Sequence, residues 1–368
     1  MKSLLPGSPA PTSREARTTV QPGSLQGGVH VLVTGLVAAA LALPALAQAQ
    51  EKVLNVYSAR HYQTDEQLYG EFTKQTGVKI NRIELGDEPL LERMRSEGDK
   101  SPADVVLLVD ATRLFRAQKD GLFQPVESKV LTRRIPAEFR ASDNTWFGFS
   151  SRARVIVYNK ANVDPKDVQT YESLADPKNK GKVCTRSGSH PYNLSLFGAT
   201  IEHVGLEKTE AWLKGIVDNQ ARSPKGGDTD QIKAVASGEC GVALTNTYYW
   251  VRLMRSDKPA DQEVVSKVGM VWPNQATTGV HMNLAGGAVA RYSPNRATAV
   301  QFLEYLASDQ AQAYFANGNN EWPTVDSAET GNQALQALGT FKADKMRTDR
   351  MAARSVDAQK LLDTVGYK

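Results

Sequence analysis

Common catalytic signatures are missing from this sequence of 368 residues. It contains no GxGxxG, GxxxxGKS/T, HExxH, CxxC or GxSxG motif. These patterns are typical of dinucleotide-binding folds, phosphate-binding loops, zinc proteases, thiol redox sites and serine hydrolases. Their absence disfavours an enzyme of those classes and directs attention to binding and transport.

Extended basic runs and a cysteine framework are missing too. The formal net charge is +4, and no run of Lys and Arg is present that could follow a phosphate backbone, so nucleic acid is not an expected partner. Cysteine occurs only at Cys184 and Cys240. In an exported protein such an even pair suggests one disulfide, whereas in a reducing compartment both would be free core thiols.

The first fifty residues differ in composition from the rest. Residues 1–28 are rich in Pro, Ser, Thr and Gly, and an apolar run follows over residues 29–43. Residues 45–47 (ALA) then give the small-x-small pattern of a cleavage site. We predict a signal peptide over residues 1–47 and a periplasmic location. A membrane anchor is the alternative, but the apolar run is short and interrupted by polar residues.

From residue 52 onward, apolar strand patterns alternate with amphipathic helical patterns. The order predicts a mainly parallel sheet flanked by helices, and the same pattern restarts after residue 177. We therefore predict an α/β protein with two lobes around a hinged cleft, the architecture of a type II periplasmic binding protein. In the first half, strands are predicted at 53–57, 78–84, 103–108 and 155–159, and helices at 65–76, 90–97 and 111–119.

Two chain crossings between the lobes are expected, near residues 149–154 and 274–280. They make the N-lobe discontinuous, with residues 51–150 and 280–368, and leave residues 151–279 for the C-lobe. Ligands of such folds bind beyond the carboxyl ends of the strands, where helix N-termini point.

Tyrosines recur where a predicted strand gives way to a helix. Tyr248 and Tyr249 follow the strand GVALTN. Tyr62 comes after the strand VLNVY and is preceded by His61, and Tyr192 follows KVCTR through the loop SGSHP. In the first turn of a helix adjacent side chains can converge, and the partial positive charge there favours phenolate. Core packing of the tyrosines, a surface role for His61 and a loop-closing role for Tyr192 are the alternatives.

Phenolates with one imidazole suit a hard, highly charged cation. A free phenol has a pKa of about 10, so it needs a strong Lewis acid to lose its proton near neutrality. Fe³⁺ fits this description, whereas Zn²⁺ favours Cys and His, and Ca²⁺ favours carboxylates. Arg252 lies four residues after Tyr248 and three after Tyr249, which places a guanidinium on the same helical face.

Beyond the signal peptide, the chain resembles the periplasmic ferric-iron-binding proteins of bacterial ABC importers. The resemblance rests on stretches between residues 52 and 255, among them LNVYSARHYQTDEQLYGEFTKQTG, GKVCTRSGSHPYNLSL and LTNTYYWVRL. It is nearest to the cyanobacterial-type branch, whose site uses tyrosines and a histidine. The combination of RHY, HPYN and NTYY is more specific than the general fold pattern.

The resemblance implies a role for individual residues. Arg152 and Arg252 match arginines that offset phenolate charge beside the metal. Cys184 and Cys240 match the family's cysteine positions, which supports the disulfide. The implied iron ligands are His61, Tyr62, Tyr192, Tyr248 and Tyr249.

The expected function is therefore that of a monomeric substrate-binding protein without catalytic residues. Its cargo is Fe³⁺, with Fe²⁺ as an alternative, and its partner is an inner-membrane ABC permease. A rival keeps the fold but carries an organic cation in an aromatic box or an oxyanion held by backbone N–H groups and Arg. An iron-dependent enzyme is a further rival, but it would need open coordination positions, typically beside two His and a carboxylate.

Overall fold

The computed structural model describes residues 52–60 and 65–368, together with Thr19 and Gly23. The predicted signal peptide lies outside the described residues apart from those two positions, and so do His61 and Tyr62. In the described part of the chain, no helix is both long enough and apolar enough to span a bilayer.

The order of strands and helices follows the predicted alternation. The strands are β1 (Val53–Ser58), β2 (Lys79–Glu84), β3 (Val105–Val109), β4 (Phe123–Gln124), β5 (Phe147–Asn159), β6 (Val183–Cys184), β7 (Val242–Asn246), β8 (Val268–Val271), β9 (Met282–Ala290) and β10 (Trp322–Pro323). The helices are α1 (Asp65–Thr76), α2 (Asp87–Glu97), α3 (Ala111–Lys119), α4 (Lys129–Arg134), α5 (Pro191–Val204), α6 (Leu206–Asp218), α7 (Asp228–Ser237), α8 (Thr247–Met254), α9 (Pro259–Lys267), α10 (Arg296–Leu306), α11 (Asp309–Asn319), α12 (Gln333–Gln336), α13 (Thr348–Ala353) and α14 (Ser355–Val365).

Two groups of paired strands define two lobes. In the first lobe, β2, β1 and β3 are parallel, and β9 runs antiparallel to β3. In the second lobe, β6 and β7 are parallel. The long strand β5 belongs to both, since residues up to Ala153 pair with β9 and residues from Arg154 onward pair with β7 and β8. Each lobe therefore combines a parallel pair or trio of strands with antiparallel strands, and one of these, β5, continues into the other lobe.

Apolar residues cover both faces of each group of strands. In the first lobe, Val105 and Leu107 face one core with Phe72 and Phe302, whereas Val106 and Leu108 face another. Because side chains alternate along a strand, an all-apolar strand such as β3 indicates burial on both faces.

The C-terminal helix packs on the second lobe. Leu361 and Leu362 of α14 lie in the same core as Leu196 and Phe197 of α5. The sequence assigned residues 280–368 to the first lobe, and the lobe boundaries remain a prediction. From this packing we propose that the boundary falls before α14.

The predicted disulfide is confirmed. Cys184 and Cys240 are bonded, with 5.9 Å between their Cα atoms. Cys184 ends β6 and Cys240 precedes β7, so the bond ties together the two parallel strands of the second lobe.

Candidate functional site

A cleft of about 590 Å³ opens between the two lobes. Its lining combines phenol, imidazole and guanidinium groups with a few small or apolar side chains. The lining residues are Ala59, Asp87, Val109, Arg113, Arg186, His190, Tyr192, Tyr248, Tyr249, Arg252 and Gly318 to Asn320.

Three of the tyrosines singled out in the sequence converge in this cleft. Tyr192 lies in the first turn of α5, which begins at Pro191, and Tyr248 and Tyr249 lie in the first turn of α8. The hydroxyl groups of Tyr192 and Tyr248 are 3.0 Å apart. The rings of Tyr248 and Tyr249 are 4.2 Å apart between centroids. Two helix N-termini thus bring three phenols to one place.

His61 and Tyr62 lie outside the described residues, but their flanks adjoin the cleft. Ala59 lines the cavity. Arg60 and Asp65 are both buried and paired, with 3.0 Å between Arg60 Nε and Asp65 Oδ2. Asp65 also accepts a hydrogen bond from Asn319 of the cavity wall at 3.2 Å.

Arg252 lies where the helical spacing predicts. Its guanidinium carbon is 5.9 Å from the Tyr248 ring centroid and 5.2 Å from that of Tyr249. A cation over two phenol rings is attracted by their π faces.

Arg152 is fully buried beside Tyr192. Its guanidinium carbon is 5.5 Å from the Tyr192 ring centroid, and Glu321 Oε1 lies 3.6 Å from its Nη1. Burial acts to lower the pKa of Arg152, but Glu321 and the nearby tyrosines raise it above its ordinary value. None of its three guanidinium nitrogens has a hydrogen-bond partner among the described residues. Arg152 therefore remains charged, with hydrogen-bonding capacity left over beside the phenols.

Two further arginines surround Tyr192 that the sequence did not single out. Arg154 and Arg186 lie 5.9 Å and 5.0 Å from its ring centroid, and both pair with the buried carboxylate of Asp228. The signal for Arg154 was its spacing of two from Arg152, which puts both on one face of β5. Arg186 follows β6, at the carboxyl end where such folds bind ligands.

Arg113 and His190 were also missed. Arg113 pairs with Asp87 across the first-lobe wall. Burial lowers the pKa of Arg113 to about 10, although Tyr192 opposes that change. The side chain of His190 caps α5 by accepting a hydrogen bond from Tyr192 N. Burial and the charge of Arg186 lower the pKa of His190 to about 2, so its imidazole is neutral.

The side chains of the cleft that could bind a metal are mainly phenols. Within residues 52–60 and 65–368, no three His, Cys, Asp or Glu side chains are grouped so as to hold a metal ion. The phenol oxygens that meet in the cleft are donors that suit a hard cation. The arginines around the phenols outnumber the carboxylates that pair with them, which leaves a surplus of positive charge beside the phenols.

Comparison with known proteins identifies the family and the fold of this chain. Residues 67–343 match the family described as bacterial extracellular solute-binding proteins. The chain is 46% identical over 319 residues to Iron uptake protein A1 of Synechocystis, which covers 87% of this chain and 88% of that protein. An iron- and citrate-bound FutA (IdiA) structure from Trichodesmium is 50% identical, with a TM-score of 0.83 over 86% of this chain and 100% of that one. Apo FutA2 from Synechocystis also has a TM-score of 0.83, at 45% identity over 87% and 100%. The predicted fold class is confirmed.

Proposed function

We propose that this chain binds ferric iron in the cleft. The premise is that it belongs to the bacterial extracellular solute-binding protein family, in the branch of the cyanobacterial iron uptake proteins. The observation that carries the proposal is the convergence of Tyr192, Tyr248 and Tyr249, with two phenol oxygens 3.0 Å apart. We propose that these oxygens bind Fe³⁺ as phenolates. Tyr62 and His61 complete the ligand set in this proposal.

The charge of the cleft supports a trivalent cargo. Phenolates at the buried Tyr192 and Tyr248 would place negative charge where water screens it poorly, and Fe³⁺ together with the surrounding guanidinium groups compensates that charge. A divalent ion compensates less of that charge and withdraws protons from phenols less strongly, so Fe²⁺ should bind more weakly.

Release and delivery follow from the two-lobed fold. We propose that the lobes open about the β5 crossing and that the loaded protein, a monomer, hands its iron to an inner-membrane ABC permease. The role is binding and transport.

The signal peptide, cleaved after Ala47, would place the protein in the periplasm. N-terminal sequencing of exported protein should find a chain starting close to Gln48.

The colour of the loaded protein tests the iron site. Apo protein titrated with Fe³⁺, supplied as a weak chelate, should bind one equivalent and turn orange to red through phenolate-to-iron charge transfer. Acidification should bleach the band, because protons and iron compete for the same oxygens. If the protein stays colourless and takes up no iron, the proposal fails and a solute of another class is indicated. Iron retained with unchanged affinity at about pH 4 would argue against phenolate ligands, given a free phenol pKa near 10.

A further inference from the structure

Asp110 connects the end of β3 to α3 and is completely buried. It is the N-cap residue of α3, and its backbone has φ 106° and ψ 132°. Residues other than glycine rarely adopt such a conformation, and it persists only where the surrounding contacts over-determine it. The contacts of the Asp110 side chain show what holds it.

The Asp110 carboxylate accepts four hydrogen bonds. Its Oδ1 accepts from Thr112 N at 2.8 Å, from Thr112 Oγ1 at 2.7 Å and from Ser195 Oγ at 2.8 Å. Its Oδ2 accepts from Asn283 Nδ2 at 2.8 Å. Thr112 and Asn283 belong to the first lobe, on α3 and β9. Ser195 belongs to α5 of the second lobe, so its bond is the one of the four that crosses between the lobes.

The bond to Ser195 is not needed to cap α3, because Thr112 N already occupies the capping position. Ser195 lies one helical turn after Tyr192 on α5, and Tyr192 packs against Val109, the residue before Asp110. Hydrogen bonds to a buried charge are shorter and stronger than neutral ones. The pair therefore fixes the first turn of α5 against the end of β3.

We propose that Ser195, through its hydrogen bond to Asp110, is a positioning residue that holds the Tyr192 phenol beside Tyr248 for metal binding. The inference rests on the iron site proposed above. Ser195 touches no metal in this account. It acts by fixing the helix whose first turn carries a ligand, and small displacements of such a ligand change both affinity and spectrum.

Thr112 supplies a matched control on the same oxygen atom. Ser195→Ala and Thr112→Val each remove one buried hydroxyl that donates to Asp110 Oδ1, but only Ser195→Ala removes a hydrogen bond between the lobes.

Affinity for Fe³⁺ is measured by competition with citrate. The charge-transfer band and the melting temperature of the apo protein are measured alongside it. Ser195→Ala should weaken Fe³⁺ binding about tenfold and shift the band, the size expected for losing one hydrogen bond to a charged group. Thr112→Val should lower the apo melting temperature and leave the band in place. Ser195→Thr, which keeps the hydroxyl, should restore both affinity and band.

Three other results would overturn the inference. If Ser195→Ala and Thr112→Val change the affinity equally, or if Ser195→Ala lowers only the melting temperature, Ser195 is a structural residue and the iron site stands without it. If unmutated protein binds no Fe³⁺, the proposed function and this inference both fail. Should Ser195→Ala not fold, Ser195→Cys keeps the volume, weakens the bond and carries the same comparison.

Discussion

The two walls of the cleft differ in kind. The second-lobe wall presents phenols from the first turns of two helices, Tyr192 on α5 and the Tyr248–Tyr249 pair on α8. The described part of the first-lobe wall presents small, apolar and amide side chains and one ion pair. Its members are Ala59, Val109, Asp87, Arg113, Gly318, Asn319 and Asn320.

We expect the two lobes to play different roles in iron binding. In the second lobe, the strands that lead to α5 and α8 are joined by the disulfide, and Asp228 holds Arg154 and Arg186 beside Tyr192. The phenols proposed as ligands are thus held on a braced framework, and such preorganisation lowers the cost of binding. We expect the second lobe to hold most of the affinity for iron, and the first lobe to complete the site by closing.

The largest effect should come from the phenols of the second-lobe wall. Tyr248→Phe and Tyr249→Phe keep the rings but remove the oxygens. Each should weaken Fe³⁺ binding at least about 100-fold, since even the outer partners of metal ligands cost about 10- to 100-fold. The double variant should approach about 10⁴-fold if the two losses are additive. Competition with citrate measures the affinity, and the visible band should shift in each single variant.

Two controls accompany these tyrosine variants. Tyr292→Phe changes an exposed tyrosine outside the cleft lining and should leave the affinity unchanged. Asp87→Asn, on the first-lobe wall, should cost less than about tenfold, as expected for a partly exposed charge. The contrast between the walls is broken if Asp87→Asn costs more than Tyr249→Phe. It is also broken if the tyrosine variants lower only apo stability.

Much of the first lobe could be predicted from the sequence. The helices α1 and α3 have the predicted bounds, because a regular apolar spacing and turn residues at their ends define them locally. By contrast, β5 was predicted only over residues 155–159, whereas it spans Phe147–Asn159. Residues 147–154 contain Gly148, two serines and two arginines, whereas the predicted part is mostly apolar. They lie in a strand because β5 crosses between the lobes and is buried along most of its length.

The candidate site could be predicted only in part. Strand-to-helix junctions showed that Tyr248 and Tyr249 share one helix tip, but their approach to Tyr192 depends on tertiary packing. The sequence does not mark Arg154 and Arg186 as site residues, because an isolated arginine is typical of the protein surface. Their burial depends on Asp228, which lies more than forty residues further along the chain. The ligand roles of all five implied residues remain predictions.

The next effect should come from the disulfide of the second lobe. The double variant Cys184→Ala/Cys240→Ala removes a cross-link between residues separated by 56 positions. Its unfolding free energy should fall by about 2–4 kcal/mol, measured by urea denaturation of the apo protein. Iron affinity should fall as well, because β6 and β7 lead to the helices that carry the phenols. Reduced unmutated protein provides the matched control and should behave alike. An unchanged midpoint in both would show that the second lobe does not depend on this brace.

The smallest effect concerns the far end of α5, where His203 pairs with Asp344 of the C-terminal segment. The distance between His203 Nε2 and Asp344 Oδ2 is 2.6 Å. This hydrogen bond raises the pKa of His203 above its ordinary value of 6.5, although burial opposes the change. Burial acts to raise the pKa of Asp344, but the bond from His203 lowers it below its ordinary value of 3.8.

The two shifts set a pH window for this contact. A raised histidine pKa stabilises the fold fully below 6.5, and that stability is lost as the pH rises through the folded-state value. A lowered carboxyl pKa stabilises the fold above 3.8 and loses its effect as the pH falls through the folded-state value. The difference in unfolding free energy between unmutated protein and His203→Gln should therefore be largest near pH 5.5 and shrink by up to about 1 kcal/mol by pH 8.

Thr200→Ala, one turn earlier on the same helix and without a titratable group, provides the control. Its difference in unfolding free energy from unmutated protein should not vary with pH. If the His203→Gln difference is equally flat, the contact contributes no charge interaction. The C-terminal segment would then be held to α5 by apolar packing and by the ion pairs of Glu202 with Arg350 and Arg354, and the comparison of the lobes would rest on the cleft walls and the disulfide.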